Sequence, residues 1–197
     1  MKIISEFKKS LLAITLLCPL LAQAEVLALV NYQSKPDTTP KREGLAIIDL
    51  DFESDNFGKI VTDIPLPTDL VVHHIFYNKD VTKAYVAALG NNPLQVIDMT
   101  KQPYELKTIS VPECQVAEDL VFSDDKQRWY VTCMGSSNVI MGNAQTDKQI
   151  KVIAAPKTDS SRKFISHPHG IGINDEINRI VITNSIHPTD FSDADET

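Results

Sequence analysis

Beyond residue 24 the chain has no run of about 18 apolar residues, the least that a membrane-crossing helix needs. It also lacks the sequence marks of several chemistries. There is no Gly-x-Ser-x-Gly elbow for a serine nucleophile, no glycine-rich phosphate cradle and no His-Glu-x-x-His zinc helix. Positive charge is short as well. Residues 1–24 hold three lysines and one glutamate, so the rest of the chain carries 16 Lys and Arg against 25 Asp and Glu, a net charge of −9 before histidine. That balance argues against nucleic acid as the natural partner, because its binding depends on neutralising phosphates. It equally disfavours an anionic membrane surface.

What opens the chain explains part of this pattern. In MKIISEFKKSLLAITLLCPLLAQAEV, Lys2, Lys8 and Lys9 form a positive start, and Leu11–Ala22 forms an apolar stretch of 12 residues. Ala22-Gln23-Ala24 then places small residues at −3 and −1 of a cleavage site. Residues 1–24 read as a secretory signal peptide and residues 25–197 as the mature domain, periplasmic or secreted. Leu17 before Cys18 is too large for a lipoprotein site. Two cysteines remain, Cys114 and Cys133. An oxidising compartment allows them one disulfide, and burial as two small apolar thiols is the other reading. Spacing leaves both open.

The body of the chain is repetitive. IFYNKDVTKAYVAALGNNPLQVIDM aligns with LVFSDDKQRWYVTCMGSSNVIMGNA at a constant offset of 45 residues, matching Tyr77, Asp80, Tyr85, Val86 and Gly90 to Phe122, Asp125, Tyr130, Val131 and Gly135. Pro67 and Pro112 share the offset. A third copy, GIGINDEINRIVITNSI, follows at an offset of 51, the excess falling in the polar stretch KTDSSRKF, residues 157–164. An earlier partial unit runs through VLALVNYQ, GLAIIDLD and KIVTDIPLP. Each unit is an apolar strand, a polar turn, a β-branched and aromatic strand, a Gly/Ser/Asn turn, and two further strands, the last closed by proline.

Four antiparallel strands in about 45 residues describe one blade of a β-propeller. The expected fold is therefore all-β: a propeller of four-stranded antiparallel blades. Residues 25–197 suffice for about four. The final strand, RIVITNS, lacks the rest of its blade in sequence, so an incomplete propeller is expected, with self-association through the open edge. The tail DFSDADET lacks the glycine and terminal glutamate of a calcium loop and reads as solvated.

Two adjacent histidines, His73 and His74, interrupt the strand DLVVHHIFYN. The offset of 45 carries His73 onto Glu118, and that of 51 carries it from there onto His169. His74 falls on Asp119 and Gly170. A shift of one residue in the third unit would instead pair His74 with His169. In a propeller each blade's first strand lines the central channel, so equivalent residues at the strand's start converge on the channel mouth. Imidazoles and a carboxylate converging there suit a transition metal such as copper, zinc, iron or nickel. His73, His74, Glu118 and His169 are the candidate ligands; Asp119 could orient one of them. A wet channel lined by polar side chains is the plainer alternative. His167 and His187, each followed by proline, are weaker candidates.

Residues 44–78, GLAIIDLDFESDNFGKIVTDIPLPTDLVVHHIFYN, resemble the selenium-binding protein family, which includes the methanethiol oxidases. The resemblance rests on Ile48-Asp49, the acidic segment Asp51 to Gly58, the proline-closed Ile64 to Pro67, and His73-His74 ahead of Phe76, Tyr77 and Asn78. It implies a seven-bladed propeller and copper-dependent oxidation of a small thiol, with the metal role carried onto His73 and His74 and extended to His169. The family's cysteine-rich motif is absent, Glu118-Asp119 stands where the family tends to have a further histidine, and the chain is far shorter than a family member. The repeats also resemble the broader YVTN-type propellers. That leaves a non-catalytic ligand- or partner-binding propeller, or an inactive fragment, as the second reading.

Overall fold

The computed structural model describes residues 26–91, 93–154 and 165–185. The leader-like residues 1–24, the polar stretch 157–164, His187 and the acidic tail lie outside them. The described residues form thirteen strands and no helix: β1 Leu27–Gln33, β2 Glu43–Asp49, β3 Ile60–Leu66, β4 Val72–Tyr77, β5 Lys83–Ala88, β6 Leu94–Asp98, β7 Leu106–Thr108, β8 Ala117–Phe122, β9 Arg128–Cys133, β10 Asn138–Asn143, β11 Gln149–Ala154, β12 Pro168–Asn174 and β13 Arg179–Asn184.

They pair into four antiparallel sheets in chain order: β1-β2-β3, β4-β5-β6-β7, β8-β9-β10-β11 and β12-β13. These are propeller blades, and the repeats at 45 and 51 residues mark their spacing. Blades 2 and 3 each have four strands. In blade 1, β1 holds the second-strand place. Asn31 of β1 pairs with Leu45 as Ala87 of β5 pairs with Leu94 and Thr132 of β9 with Val139.

The hydrophobic pattern explains why blades stack face to face. Every residue of Ala84–Ala88 is fully buried, because both faces of the strand are covered. Ala84, Val86 and Ala88 meet Leu45, Ile64 and Leu66 of blade 1. On the opposite face, Tyr85 and Ala87 meet Phe122, Trp129, Val131 and Ile140 of blade 3. Tyr130 and Val139 continue outward to Ile171 of blade 4. Successive cores between blades thus use alternate residues of each strand, the period-two rule of a sheet buried on both sides. Trp129 lies flat over Gly142, where a Cβ would come within 1.9 Å of the indole.

The turns have the chemistry the repeat suggests. Asn78 Oδ1 accepts from the amides of Thr82 and Lys83, and Ser123 Oγ accepts from Arg128 N at the matching turn of blade 3. Cys114 and Cys133 are joined, with Cα atoms 5.2 Å apart. Of the two open readings of these cysteines, the structure has the disulfide. Cys114 lies in the loop before β8 and not on a strand neighbouring Cys133.

A candidate metal centre at the blade mouths

Each inner strand, β4, β8 and β12, begins with the same irregularity. The pairing register slips between Val72 and His74, between Ala117 and Leu120, and between Pro168 and Ile171. Just ahead of each slip stands a residue with positive φ: Val71 at 53°, Val116 at 56° and His167 at 47°. A β-branched residue there is strained by about 1–3 kcal/mol, and such strain gathers where backbone is bent for a purpose. Its carbonyl is held each time by the end of the second strand, from Leu89 N, Met134 N and Ser185 N. These bonds repeat at the offsets of 45 and 51. The three bulges are therefore equivalent, and His73, Glu118 and His169 occupy the same place in successive blades. The alternative register, with His74 opposite His169, is not the one adopted.

A bulge turns the side chain at its crest out of the sheet plane. Here it turns three of them toward one another. His73 Nε2 lies 3.2 Å from Glu118 Oε2, and His169 Nε2 lies 3.7 Å from the same oxygen. The Glu118 side chain is 4% exposed, while those of His73 and His169 are 39% and 48% exposed. His74 stacks beside His73, ring centroids 3.9 Å apart. One donor atom from each of His73, His74 and Glu118 falls within 4.8 Å of the others. His169 belongs to the carboxylate's surroundings but stands outside that tightest group.

Two details bear on what this cluster can bind. Glu118 Oε2 is fully buried yet has no hydrogen-bond donor directed at it. A bare buried carboxylate oxygen is costly, by several kcal/mol, unless a cation sits against it. His74 Nδ1 meets the backbone oxygen of Glu118 at 3.0 Å. A carbonyl only accepts, so Nδ1 carries the proton, and in the neutral ring Nε2 keeps a free lone pair. That is the tautomer a metal-ligating imidazole adopts when its second nitrogen is tied to a carbonyl. The donor set of two imidazoles and one carboxylate, with an orphaned oxygen among them, fits a divalent transition metal.

Asp119 does not orient a histidine. Its Oδ2 accepts from Ile171 N at 3.0 Å and its Oδ1 from Leu120 N, so it ties blade 3 to blade 4. His167 supplies the strained residue before the third bulge, and its Nδ1 approaches Ser166 Oγ. Three buried or bridging polar residues were not anticipated: Asn31, Glu43 and Thr132, which bond the backbone around the bulges. Their trace in the sequence is slight, a polar residue near the end of an otherwise apolar strand in VLALVNYQ and RWYVTC. A cavity of about 850 Å³ lies elsewhere, at the outer edge of blade 2 among Lys83, Lys101, Lys107 and Asp147, and contributes nothing to the histidine cluster.

No protein-family model and no curated protein matches this chain. Solved structures do, at low identity. A dihydro-heme d1 dehydrogenase, NirN, in complex with DHE aligns with a TM-score of 0.52 and 15% identity over 71% of this chain and 27% of its own. A hypothetical selenium-binding protein from Sulfolobus tokodaii gives 0.52 and 14% over 69% of this chain and 38% of its own. A nidogen/laminin complex gives 0.53 and 12% over 81% of this chain and 53% of that one. The chain thus spans between about a quarter and about half of these structures. At such identities the likeness is one of fold, and the fold is the β-propeller.

Proposed function

We propose that this protein is a metal-binding β-propeller whose site lies at the mouth of its inner strands, and that its metal is copper serving the oxidation of a small thiol. The observation that carries the metal half is the buried Oε2 of Glu118, which makes no hydrogen bond and has the Nε2 atoms of His73 and His169 at 3.2 and 3.7 Å. His73, His74 and Glu118 would hold the ion, with His169 at its open side. The copper and thiol half rests on the resemblance of residues 44–78 to the selenium-binding and methanethiol oxidase family. The fold shared with a hypothetical selenium-binding protein agrees with it. A periplasmic or secreted setting is supported by the leader-like start and by a disulfide of the kind that persists in oxidising compartments. Among the described residues no helix is long and apolar enough to cross a membrane.

The chemistry of the protein's own groups follows from their placement. Glu118 supplies the negative charge that offsets a bound cation in a poorly solvated place. His74 is held rigid by its bond to the next blade, so its free nitrogen is presented without loss of side-chain freedom. His73 and His169 are the exposed members of the cluster, with side chains 39% and 48% exposed. His169, outside that ligand set, can take the proton released when a thiol enters as thiolate. A bound copper ion would supply one-electron redox chemistry and a soft site for sulfur.

The test is metal content of the chain recovered from the periplasm, followed by copper and zinc titration of the wild type and of Glu118→Gln. The proposal expects about one bound ion per chain and at least a tenfold loss of affinity in the variant. Oxygen uptake with small thiols then tests the oxidase half separately. Equal metal affinity of wild type and variant would sink the site.

A further inference from the structure

The backbone of each ligand-bearing bulge is fastened by a side chain from the preceding blade. At the first junction, Asn31 Nδ2 donates to the backbone oxygen of Val72, immediately before His73, at 3.1 Å. At the second, His74 Nδ1 donates to the backbone oxygen of Glu118 at 3.0 Å. At the third, Thr132 Oγ1 donates to the backbone oxygen of His169 at 2.6 Å, and accepts from Asp119 N at 2.9 Å.

Two of these donors come from one structural position. Asn31, Ala87 and Thr132 are equivalent in β1, β5 and β9, since their cross-strand partners are Leu45, Leu94 and Val139. Blade 2 has alanine there, which cannot donate. His74 pairs directly with Ala87 across the strands, and its imidazole makes the bond in the missing side chain's place. All three junctions therefore satisfy a bulge carbonyl from the preceding blade, with three different residue types: at Glu118 and His169 the ligand-bearing residue's own, at the first junction that of Val72 just ahead of His73. Thr132 is fully buried, so its hydroxyl is not there for solvation. The register of apolar packing does not demand it either, as Ala87 shows.

We infer that Asn31 and Thr132 are positioning residues of the metal centre, fixing the backbone of the bulges that carry His73 and His169 against the preceding blade. The inference rests on the metal reading above. Asn31 acts on the backbone ahead of His73 and Thr132 on that of His169, so their effects are separable. Removal of either donor frees a bulge carbonyl and lets the inner strand shift relative to its neighbour. A ligand set tuned by such contacts loses about 10- to 100-fold in affinity when they are removed.

Copper(II) titration against a competing chelator, with electron paramagnetic resonance of the bound ion, tests this on the full chain. Thr132→Val keeps shape and removes the hydroxyl; Thr132→Ser keeps the hydroxyl; Asn31→Ala sits at an exposed position where folding tolerates change. The expected result is at least tenfold weaker copper binding and an altered spectrum for Thr132→Val and Asn31→Ala, with Thr132→Ser like the wild type in both. Thermal unfolding of the metal-free proteins provides the control. Variants that melt earlier yet bind copper with the wild-type affinity and spectrum would reduce both residues to structural roles and overturn the inference. A wild type that binds no copper or zinc would fail earlier, at the metal reading itself.

Discussion

His74 Nδ1 and the backbone oxygen of Glu118, 3.0 Å apart, join two consecutive inner strands through a side chain that also belongs to the candidate ligand cluster. With Nδ1 committed to that carbonyl, Nε2 is the nitrogen the proposed ligand role would use. The two roles are separable, because an asparagine side chain can reproduce the donor near Nδ1 but has nothing at the position of Nε2.

His74→Asn should keep the bond to Glu118 and lose the ligand, whereas His74→Ala should lose both. The expected outcome for asparagine is copper or zinc affinity lowered by about 10- to 100-fold with nearly wild-type stability. Alanine should lose the same affinity and about 1 kcal/mol of stability besides, the usual worth of one hydrogen bond. Metal titration and urea unfolding of both variants provide the comparison. Asparagine binding metal as well as the wild type would show that Nε2 is not a ligand.

The blade repeat was legible because its signals are local. The polar turns at Asn78, Ser123 and Asn174, the prolines 67 and 112, and the aromatic pair Tyr85 and Tyr130 all recur at the offsets of 45 and 51 residues. The convergence of His73, Glu118 and His169 followed from those offsets alone. What spacing did not reveal were the bulges that aim these side chains, since they arise from positive φ at Val71 and Val116, and valine is a residue that does not advertise such backbone. The fastening by Asn31 and Thr132 was hidden for a related reason. A hydrogen bond to a carbonyl in the next blade leaves no periodic mark. The disulfide stayed undecided because the distance between Cys114 and Cys133 depends on the loop ahead of β8.

That disulfide links residues 19 apart in sequence and closes a loop that contains Glu118 and Asp119. Cys133 is also the cross-strand partner of Ala117, the residue before Glu118. Replacement of both cysteines by alanine should destabilise the chain by about 3 kcal/mol through the freed unfolded state. It should also loosen the strand start that carries Glu118, so metal affinity should fall by a smaller factor than in His74→Asn. Urea unfolding and metal titration of the double variant check the two effects. Unchanged stability would mean that the buried core between blades 2 and 3 holds this loop without the covalent link.

Tyr85 supplies the last prediction, at the opposite side of the same blade interface. Its hydroxyl donates to Asp147 Oδ1, a carboxylate that also takes Lys83 Nζ at 2.8 Å. Burial raises the phenol's pKa first, and the hydrogen bond to Asp147 and its negative charge raise it further. The folded state therefore favours the protonated phenol. Its contribution is complete below the ordinary tyrosine value of about 10 and is lost as pH rises above it, because the unfolded chain then releases the proton and the folded chain does not. Tyr85→Phe should cost about 1.5–3 kcal/mol at pH 7, the range for a hydrogen bond to a charged group. The difference between wild type and variant should then narrow above about pH 10, at no more than about 1.4 kcal/mol per pH unit. Urea unfolding of both proteins at pH 7 to 11 measures this. A stability gap that stays constant up to pH 11 would show that Tyr85 does not keep its proton through contact with Asp147.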